Sequence, residues 1–98
     1  MNDTDKYPLY EYTDGKIIPL NNKVVRFNWH YHHFVEKKFL KKYPQFEKYQ
    51  KLIFMPADMN YDIERRTRPE RFKERWGVEI QDVVFLKEYF YKGYYETV

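Results

Sequence analysis

An alternating segment that ends in a cluster of histidines constrains the fold of this chain more than any other feature. From Lys23 onward polar and apolar residues follow each other with a period of two, which predicts a β-strand. Its aromatic face is expected on the core and its polar face outward. The inward set is Val25, Phe27, Trp29 and Tyr31, and the outward set is Arg26, Asn28, His30 and His32. A regular strand would put His33 on the core side, so that the two adjacent histidines approach a site from different directions.

The cluster holds all three histidines of the chain, at positions 30, 32 and 33. A histidine can bind a metal ion through its neutral ring or accept a proton at about neutral pH. Three of them at one strand end therefore predict a functional site. The alternative is that they are ordinary surface or half-buried residues of an aromatic strand.

Length and composition limit what the site can contain. The chain has 98 residues, which is enough for one domain with a modest core. It has no cysteine. Any metal site must therefore use His, Asn, Asp or Glu. Aromatic residues, 21% of the sequence, must supply much of the core. The chain lacks an apolar run as long as a membrane span and begins with polar, acidic residues. The sequence thus predicts a soluble, cytoplasmic protein with no membrane partner.

Positive charge is concentrated in the middle of the chain. Residues 21–76 carry fourteen basic and seven acidic side chains, whereas residues 1–20 and 77–98 are each net negative. This distribution is expected of a segment that binds a polyanion. Alternatively, basic residues with interleaved glutamates form a solvated helix surface. The candidate nucleic-acid-binding residues are Lys37, Lys38, Lys41, Lys42, Arg65, Arg66, Arg68 and Arg71.

The remaining pattern predicts a small single domain of the α+β class. Two β-prone runs around Asp14-Gly15 predict a hairpin, with Pro19 at the end of its second strand or on an edge. The expected divisions are an N-terminal hairpin (1–22), a strand–loop–strand–helix core (23–66) and a C-terminal helical extension (67–98).

Further elements follow from periodicity and from helix boundary signals. The predicted segments are a short helix over 35–43, a polar loop, a buried strand over 51–55, and helices over 57–66 and 69–76. Thr67 and Glu70 have the spacing of a capping box, and Gly77 is expected to end that helix. The tail over 78–91 is either helix or strand, and helix is favoured. The helical face would comprise Ile80, Val83, Val84, Leu86 and Phe90.

A family resemblance emerges over residues 23–66. The segment contains a strand ending in His32-His33, a basic connection, the run Lys51-Leu52-Ile53-Phe54-Met55-Pro56, and a helix carrying Asn60. In this order it resembles the ββα-metal nucleases, also called HNH or His-Me finger nucleases. It resembles in particular the small His-His nuclease domains at the ends of bacterial polymorphic toxins and in phage genomes. The resemblance implies a ββα-metal core and metal-dependent hydrolysis of phosphodiester bonds in DNA or RNA.

The resemblance also implies roles for the matching residues. His32 would bind a divalent metal, His33 would be the general base, and Asn60 would be the second ligand. Additional oxygen ligands would come from Asp58, Asp62 or Glu64. Mg²⁺ or Mn²⁺ suits such a set, and the imidazole extends the choice to Ni²⁺ or Zn²⁺. The lysine and arginine sets are expected on either side of the cleft.

The sequence departs from the family pattern at two positions. Asn60 stands where many members have His, an exchange found in the nuclease domain of certain CRISPR effectors. Only Gln50 and Lys51 are available just before the second strand, where the family commonly has an Asn that holds the loop carrying the base.

Two other classes of function stay open on the sequence alone. One is a non-catalytic basic module, from a phage or a bacterium, that binds nucleic acid or a protein partner, while the histidines are incidental. A nuclease of this kind could also have a protein inhibitor as partner. The other class is a metal-stabilised structural protein in which His30 and His32 chelate a transition metal together with a carboxylate.

Overall fold

A two-residue turn joins the first two strands into the predicted hairpin. In the computed structural model, which describes residues 3–90, β1 (Leu9–Thr13) and β2 (Lys16–Pro19) pair antiparallel. Asp14 and Gly15 have φ angles of 45° and 78°. Positive φ at both positions is what the tight hairpin turn requires, and Asp-Gly is one of the dipeptides that favour it. The predicted hairpin is therefore confirmed.

Two further strands complete a four-stranded sheet. β3 (Trp29–His33) pairs antiparallel with β4 (Leu52–Pro56), and β4 also pairs parallel with β1, which gives the order β2-β1-β4-β3. Pro19 lies at the end of the edge strand β2, as predicted, where its missing N–H interrupts no pairing. The register of the β3–β4 pair places His32 opposite Ile53.

The first half of the predicted long strand forms a loop instead. Residues 20–28 contain no strand, and Val25 and Phe27, predicted in the core, are 89% and 88% exposed. Asn28 has a φ angle of 62°, a left-handed conformation that an extended strand excludes. The alternating pattern is therefore realised only from Trp29 onward.

The two faces of β3 are also used differently from the prediction. Trp29 and Tyr31 do pack on Phe54, with ring centroids 5.1 and 4.7 Å apart. The larger core lies on the opposite face of the sheet, which carries Ile53. Its buried members are Ile53, Met55, Met59, Ile63, Phe72, Val78, Ile80, Val83, Val84 and Tyr89. Because paired residues of adjacent strands lie on the same face, His32 lies on this core side, and its predicted outward orientation is wrong.

The helices form largely where the sequence predicted them. They are α1 (Lys37–Lys42), α2 (Ala57–Glu64) and α3 (Pro69–Trp76), with 3-10 helices at Asp3–Asp5, Pro44–Tyr49 and Ile80–Asp82, and residues 86–90 are also helical. The three predicted α-helices are thus confirmed with the same or shorter bounds. The segment predicted as a polar loop forms a 3-10 helix.

The ends of α3 show one prediction that holds and one that fails. Gly77 ends the helix with a φ of 78°, a left-handed conformation that glycine adopts at low cost. The predicted capping box is wrong, because Arg68 occupies the N-cap position and makes no side-chain capping bond. Pro69 begins the helix instead, where the N–H that proline lacks has no intrahelical acceptor.

The tail is not the single helix that the sequence favours. The N–H of Phe85 donates to the carbonyl of Phe34 at 2.9 Å, which interrupts the helical hydrogen bonds after the 3-10 turn. Leu86 and Phe90, predicted to share one helical face with Ile80, Val83 and Val84, are 37% and 55% exposed. Ile80, Val83 and Val84 are buried, so the five residues do not share one environment.

These elements form one small domain of mixed α and β structure, since the hairpin and the β3–β4 pair share one sheet and helices cover it. The predicted α+β class is confirmed. Within residues 3–90, no helix combines the length and the apolar character needed to cross a membrane. The last predicted tail residue, Tyr91, and the outermost parts of the divisions 1–22 and 67–98 lie outside the described residues.

Candidate functional site

A pocket of about 250 Å³ opens where the end of β3 faces α2. His32 and His33 from the strand and Asn60 from the helix all line it. The chain passes from β4 into α2 at Pro56 with no intervening loop, so the helix turns back over the sheet at once. Because β4 runs antiparallel to β3, this return brings the second turn of α2 over the histidine end of the strand.

Two polar contacts hold the ring of His32. Its Nε2 lies 2.8 Å from the carbonyl oxygen of Val83, and its Nδ1 lies 3.1 Å from Oδ1 of Asn60. Burial of the ring lowers the pKa of His32 to about 4, although both contacts favour the charged form; the positive charge of Arg66 lowers it further. The imidazole is therefore neutral at physiological pH.

The proton of this neutral ring can be assigned from its partners. The carbonyl of Val83 can only accept, so the proton lies on Nε2 and Nδ1 carries a lone pair. With Oδ1 of Asn60 facing the ring, two acceptors lie 3.1 Å apart and can together face a cation; with the amide turned over, its N–H would instead donate to Nδ1. Two ligand atoms that bind one cation at right angles, each at about 2.1 Å from it, are about 3 Å from each other. His32 and Asn60 thus have the atom types and spacing of two metal ligands.

His33 makes a different contact, with the N-terminal segment. Its Nε2 lies 2.8 Å from Oδ2 of Asp3, and the same oxygen is 3.6 Å from Nζ of Lys37. The hydrogen bond from His33 lowers the pKa of the Asp3 carboxyl group, and Lys37 adds to this effect. The imidazole of His33 therefore faces an ionised carboxylate.

The connection after His33 is fixed by Gln50, just before β4. Its Oε1 accepts from the N–H of Val35 at 2.8 Å, and its Nε2 donates to the carbonyl of Val35 at 2.8 Å. Oε1 also accepts from the N–H of Lys51 at 3.1 Å. Gln50 thereby holds the loop after the histidines at the place where the resemblance leads one to expect an Asn.

Arg66 forms part of the pocket wall, with only 13% of its side chain exposed. Its Nη2 lies 3.3 Å from Glu88 and 3.7 Å from Glu36. Its backbone has a φ of 60°, an uncommon left-handed conformation for a residue with a long side chain. The two carboxylates hold the guanidinium beside the pocket, and its Nη1 donates to the carbonyl of Ile63 at 3.2 Å.

A second depression of about 590 Å³ continues from the first. The two share His33, Lys37 and Lys38, and the second adds Lys6 and Lys41. Three of the four predicted lysines therefore lie along one continuous surface that passes His33.

Four of the other five basic candidates lie away from this surface. Arg65 and Arg71 line a separate pocket next to Asp62, and Arg68 and Lys42 are exposed and line neither depression. Arg66 is thus the one predicted arginine that the structure brings beside His32 and Asn60.

Of the carboxylates predicted to bind metal, only some lie at the pocket. Glu64 lines the pocket, whereas Asp58 has a side chain that is 81% exposed and lies 4.0 Å from Arg75. Asp62 is buried and accepts from Arg75 at 3.0 Å and from Trp76 at 2.8 Å, so it joins α2 to α3. Across residues 3–90, no three side chains of the His, Cys, Asp or Glu type are grouped to hold a metal ion. His30 is exposed and does not line the pocket.

Several residues of the site carry no sequence signal for this role. Asp3 is thirty residues from His33, and the carbonyl of Val83 is fifty-one residues from His32. Glu88 is 3% exposed within a tail that the sequence presents as amphipathic. Gln50 is the exception, since its position just before an apolar strand draws attention to it.

Comparison of the chain with protein-family models, with curated proteins and with solved structures found no match. The function must therefore be argued from the pocket itself.

Proposed function

We propose that this protein is a metal-dependent endonuclease that hydrolyses phosphodiester bonds of DNA or RNA, with His33 as the general base. The observation that carries the proposal is the convergence of His33, a neutral His32 and Asn60 in one pocket. Such a reaction needs a base for water, stabilisation of negative charge on the phosphate, and cations that hold the nucleic-acid backbone. For each of these three requirements, a residue of suitable chemistry lies in or beside this pocket.

His33 suits the role of the base because of its place at the pocket edge. Its side chain is 26% exposed, so a water molecule can reach the ring. A neutral imidazole accepts a proton from water and releases it to solvent at about neutral pH. His30 does not line the pocket, and His32 is already engaged by Val83 and Asn60.

His32 and Asn60 would hold a divalent cation. Mg²⁺ or Mn²⁺ fits the oxygen ligand, Ni²⁺ or Zn²⁺ fits the imidazole, and Glu64 on the same wall offers a further carboxylate. Since His32 is neutral, its Nδ1 need not lose a proton before it binds a metal. A bound cation would stabilise the negative charge on the phosphate and on the leaving oxygen.

The nucleic-acid backbone would follow the lysine-lined surface past His33. Lys37, Lys38 and Lys41 lie on this surface, and Arg66 lies in the pocket wall. These cations would neutralise phosphates without reading bases, so binding would be largely independent of sequence. The buried contacts of Gln50 support the proposal, because they hold the connection that leaves the histidine pair.

A second candidate function is a non-catalytic binding module, and the loop before β3 favours it. Val25 and Phe27 are almost fully exposed there, and exposed large apolar side chains often mark a contact with a partner. A protein partner, such as an inhibitor, would suit this loop. That the protein acts in the cytoplasm stays a prediction from the sequence.

The proposal is tested by incubating the purified chain with plasmid DNA and with total RNA, each with Mg²⁺, with Mn²⁺ and with a chelator. Cleavage of either substrate that depends on the metal supports the nuclease and identifies the nucleic acid. Binding without cleavage in any metal supports the module instead.

A further inference from the structure

We infer that Asp3 is a positioning residue for His33, because its carboxylate fixes the imidazole in the tautomer whose Nδ1 can accept a proton. The catalytic part of this inference rests on the proposed nuclease function. The tautomer itself is a property of the folded chain and can be measured without any substrate.

The contact has the geometry of a strong hydrogen bond. Nε2 of His33 and Oδ2 of Asp3 are 2.8 Å apart, and both side chains are largely shielded, at 26% and 34% exposure. Hydrogen bonds to an ionised carboxylate are roughly twice as strong as those between neutral groups. A neutral imidazole has one proton and the carboxylate can only accept, so the proton lies on Nε2. Nδ1 is then the nitrogen with the lone pair.

Asp3 is itself anchored to the body of the domain. Its carbonyl accepts from the N–H groups of Lys6 and Tyr7 at 3.0 and 3.2 Å, which closes the N-terminal turn. Tyr7 donates its hydroxyl proton to Glu47 at 2.8 Å, and Nζ of Lys6 lies 3.1 Å from the same carboxylate. These contacts fasten the turn to the 3-10 helix over residues 44–49. The carboxylate of Asp3 is thereby presented to the strand end at a fixed place.

The chemical consequence follows from the proton count. When Nδ1 takes a proton from water, the oxygen of that water forms a bond to phosphorus and the bond to the leaving oxygen breaks. The ring then carries a proton on each nitrogen and a positive charge, which the Asp3 carboxylate stabilises. Solvent supplies the proton of the leaving group, and the ring returns its extra proton to solvent. Without the carboxylate, the ring could rotate or carry its proton on Nδ1, and it would then fail as a base.

The test compares Asp3→Asn with Asp5→Asn, which removes the same charge from an exposed position in the same turn. Long-range ¹H–¹⁵N spectra of the imidazole of His33, recorded at a pH of about 8, show which nitrogen bears the proton. In the parent we expect the proton on Nε2, with a downfield resonance typical of a bond to a carboxylate. In Asp3→Asn we expect this resonance to move upfield or to be lost to exchange with water, while Asp5→Asn keeps it.

The catalytic arm measures cleavage by the same three proteins. We expect Asp3→Asn to cut at least about tenfold more slowly and Asp5→Asn to cut like the parent, since general base catalysis is worth on the order of 10²–10⁴. A proton on Nδ1 in the parent overturns the inference, as does Asp3→Asn with an unchanged resonance. The resonance of His33 can be read whether or not the protein cleaves nucleic acid. A parent protein that cleaves nothing therefore overturns the proposed function alone.

Discussion

Gln50 binds both backbone polar groups of a single residue, Val35, two positions after the histidine pair. Oε1 accepts from its N–H and Nε2 donates to its carbonyl, each at 2.8 Å. Gln50 and Val35 are 4% and 0% exposed, so water cannot readily replace these bonds. The loop that leaves β3 is therefore tied to Gln50, two residues before β4 begins.

This relationship predicts a large loss of stability in Gln50→Ala. The substitution leaves the N–H and the carbonyl of Val35 buried without partners, at a cost of about 1–3 kcal/mol for each group. We expect the free energy of unfolding in urea to fall by about 2–4 kcal/mol. The exposed Gln81 provides the matched control, and Gln81→Ala should change it by less than about 0.5 kcal/mol. Equal effects of the two substitutions would show that the bonds to Val35 are not stabilising.

The partly buried ring of His32 predicts a stability change with pH in the metal-free protein. Its pKa falls from 6.5 to about 4 on folding, so the unfolded chain binds a proton that the folded chain does not. His32 costs no stability above pH 6.5 and destabilises the fold progressively as the pH falls towards 4, by about 3 kcal/mol in total.

Urea unfolding in the presence of a chelator checks this prediction. Between about pH 6.5 and pH 5, the parent should lose more stability than His32→Gln does. His30→Gln, at an exposed position, should follow the parent. Identical slopes for the parent and His32→Gln would mean that the ring is not desolvated as the structure has it.

Asn60→Ala should weaken metal binding without nucleic acid present. Binding of Mn²⁺, followed by electron paramagnetic resonance, should lose affinity by on the order of tenfold or more, because one of two facing ligands is removed. Asn21→Ala, at an exposed position, serves as the control. If the parent binds no Mn²⁺, the amide of Asn60 is turned over and donates to Nδ1 of His32 directly, and the metal assignment fails.

The lysine surface predicts how binding to duplex DNA depends on salt. Each duplex phosphate that is neutralised contributes a slope of about −0.9 to the plot of log affinity against log salt. Lys38→Glu combined with Lys41→Glu should flatten this slope and weaken binding of all sequences alike, measured with a chelator to prevent cleavage. Arg65→Glu combined with Arg71→Glu is the control pair, since both arginines line the separate pocket. An affinity that does not depend on salt would remove nucleic acid from the list of partners.

The sequence predicts those parts of the fold that depend on neighbouring residues. The turn at Asp14-Gly15 and the end of α3 at Gly77 both follow from local backbone preferences, and both form as predicted. The strand from Lys23 fails because alternation alone does not show where a left-handed residue such as Asn28 will interrupt it. The outward orientation of His32 fails because the aliphatic residues of β4 put the larger core on that face.

The residues of the site also fall into those that the sequence predicts and those that only the tertiary fold brings together. His32, His33 and Asn60 could be selected from the sequence because their residue types and order carry chemistry. The partners of the two histidines, Asp3 and the carbonyl of Val83, meet them only through tertiary folding, and no sequence spacing encodes a contact of that kind.

Cleavage by His33→Ala, beside its matched control His30→Ala, tests the nuclease proposal most directly. Each variant removes one imidazole, but only His33 lines the pocket. With Mg²⁺ or Mn²⁺ present, the parent and His30→Ala should cleave plasmid DNA or total RNA at similar rates, and His33→Ala should be slower by on the order of 10²–10⁴ with an unchanged thermal melt. Cleavage by His33→Ala at the rate of the parent, or cleavage by the parent that persists in a chelator, would contradict the proposal.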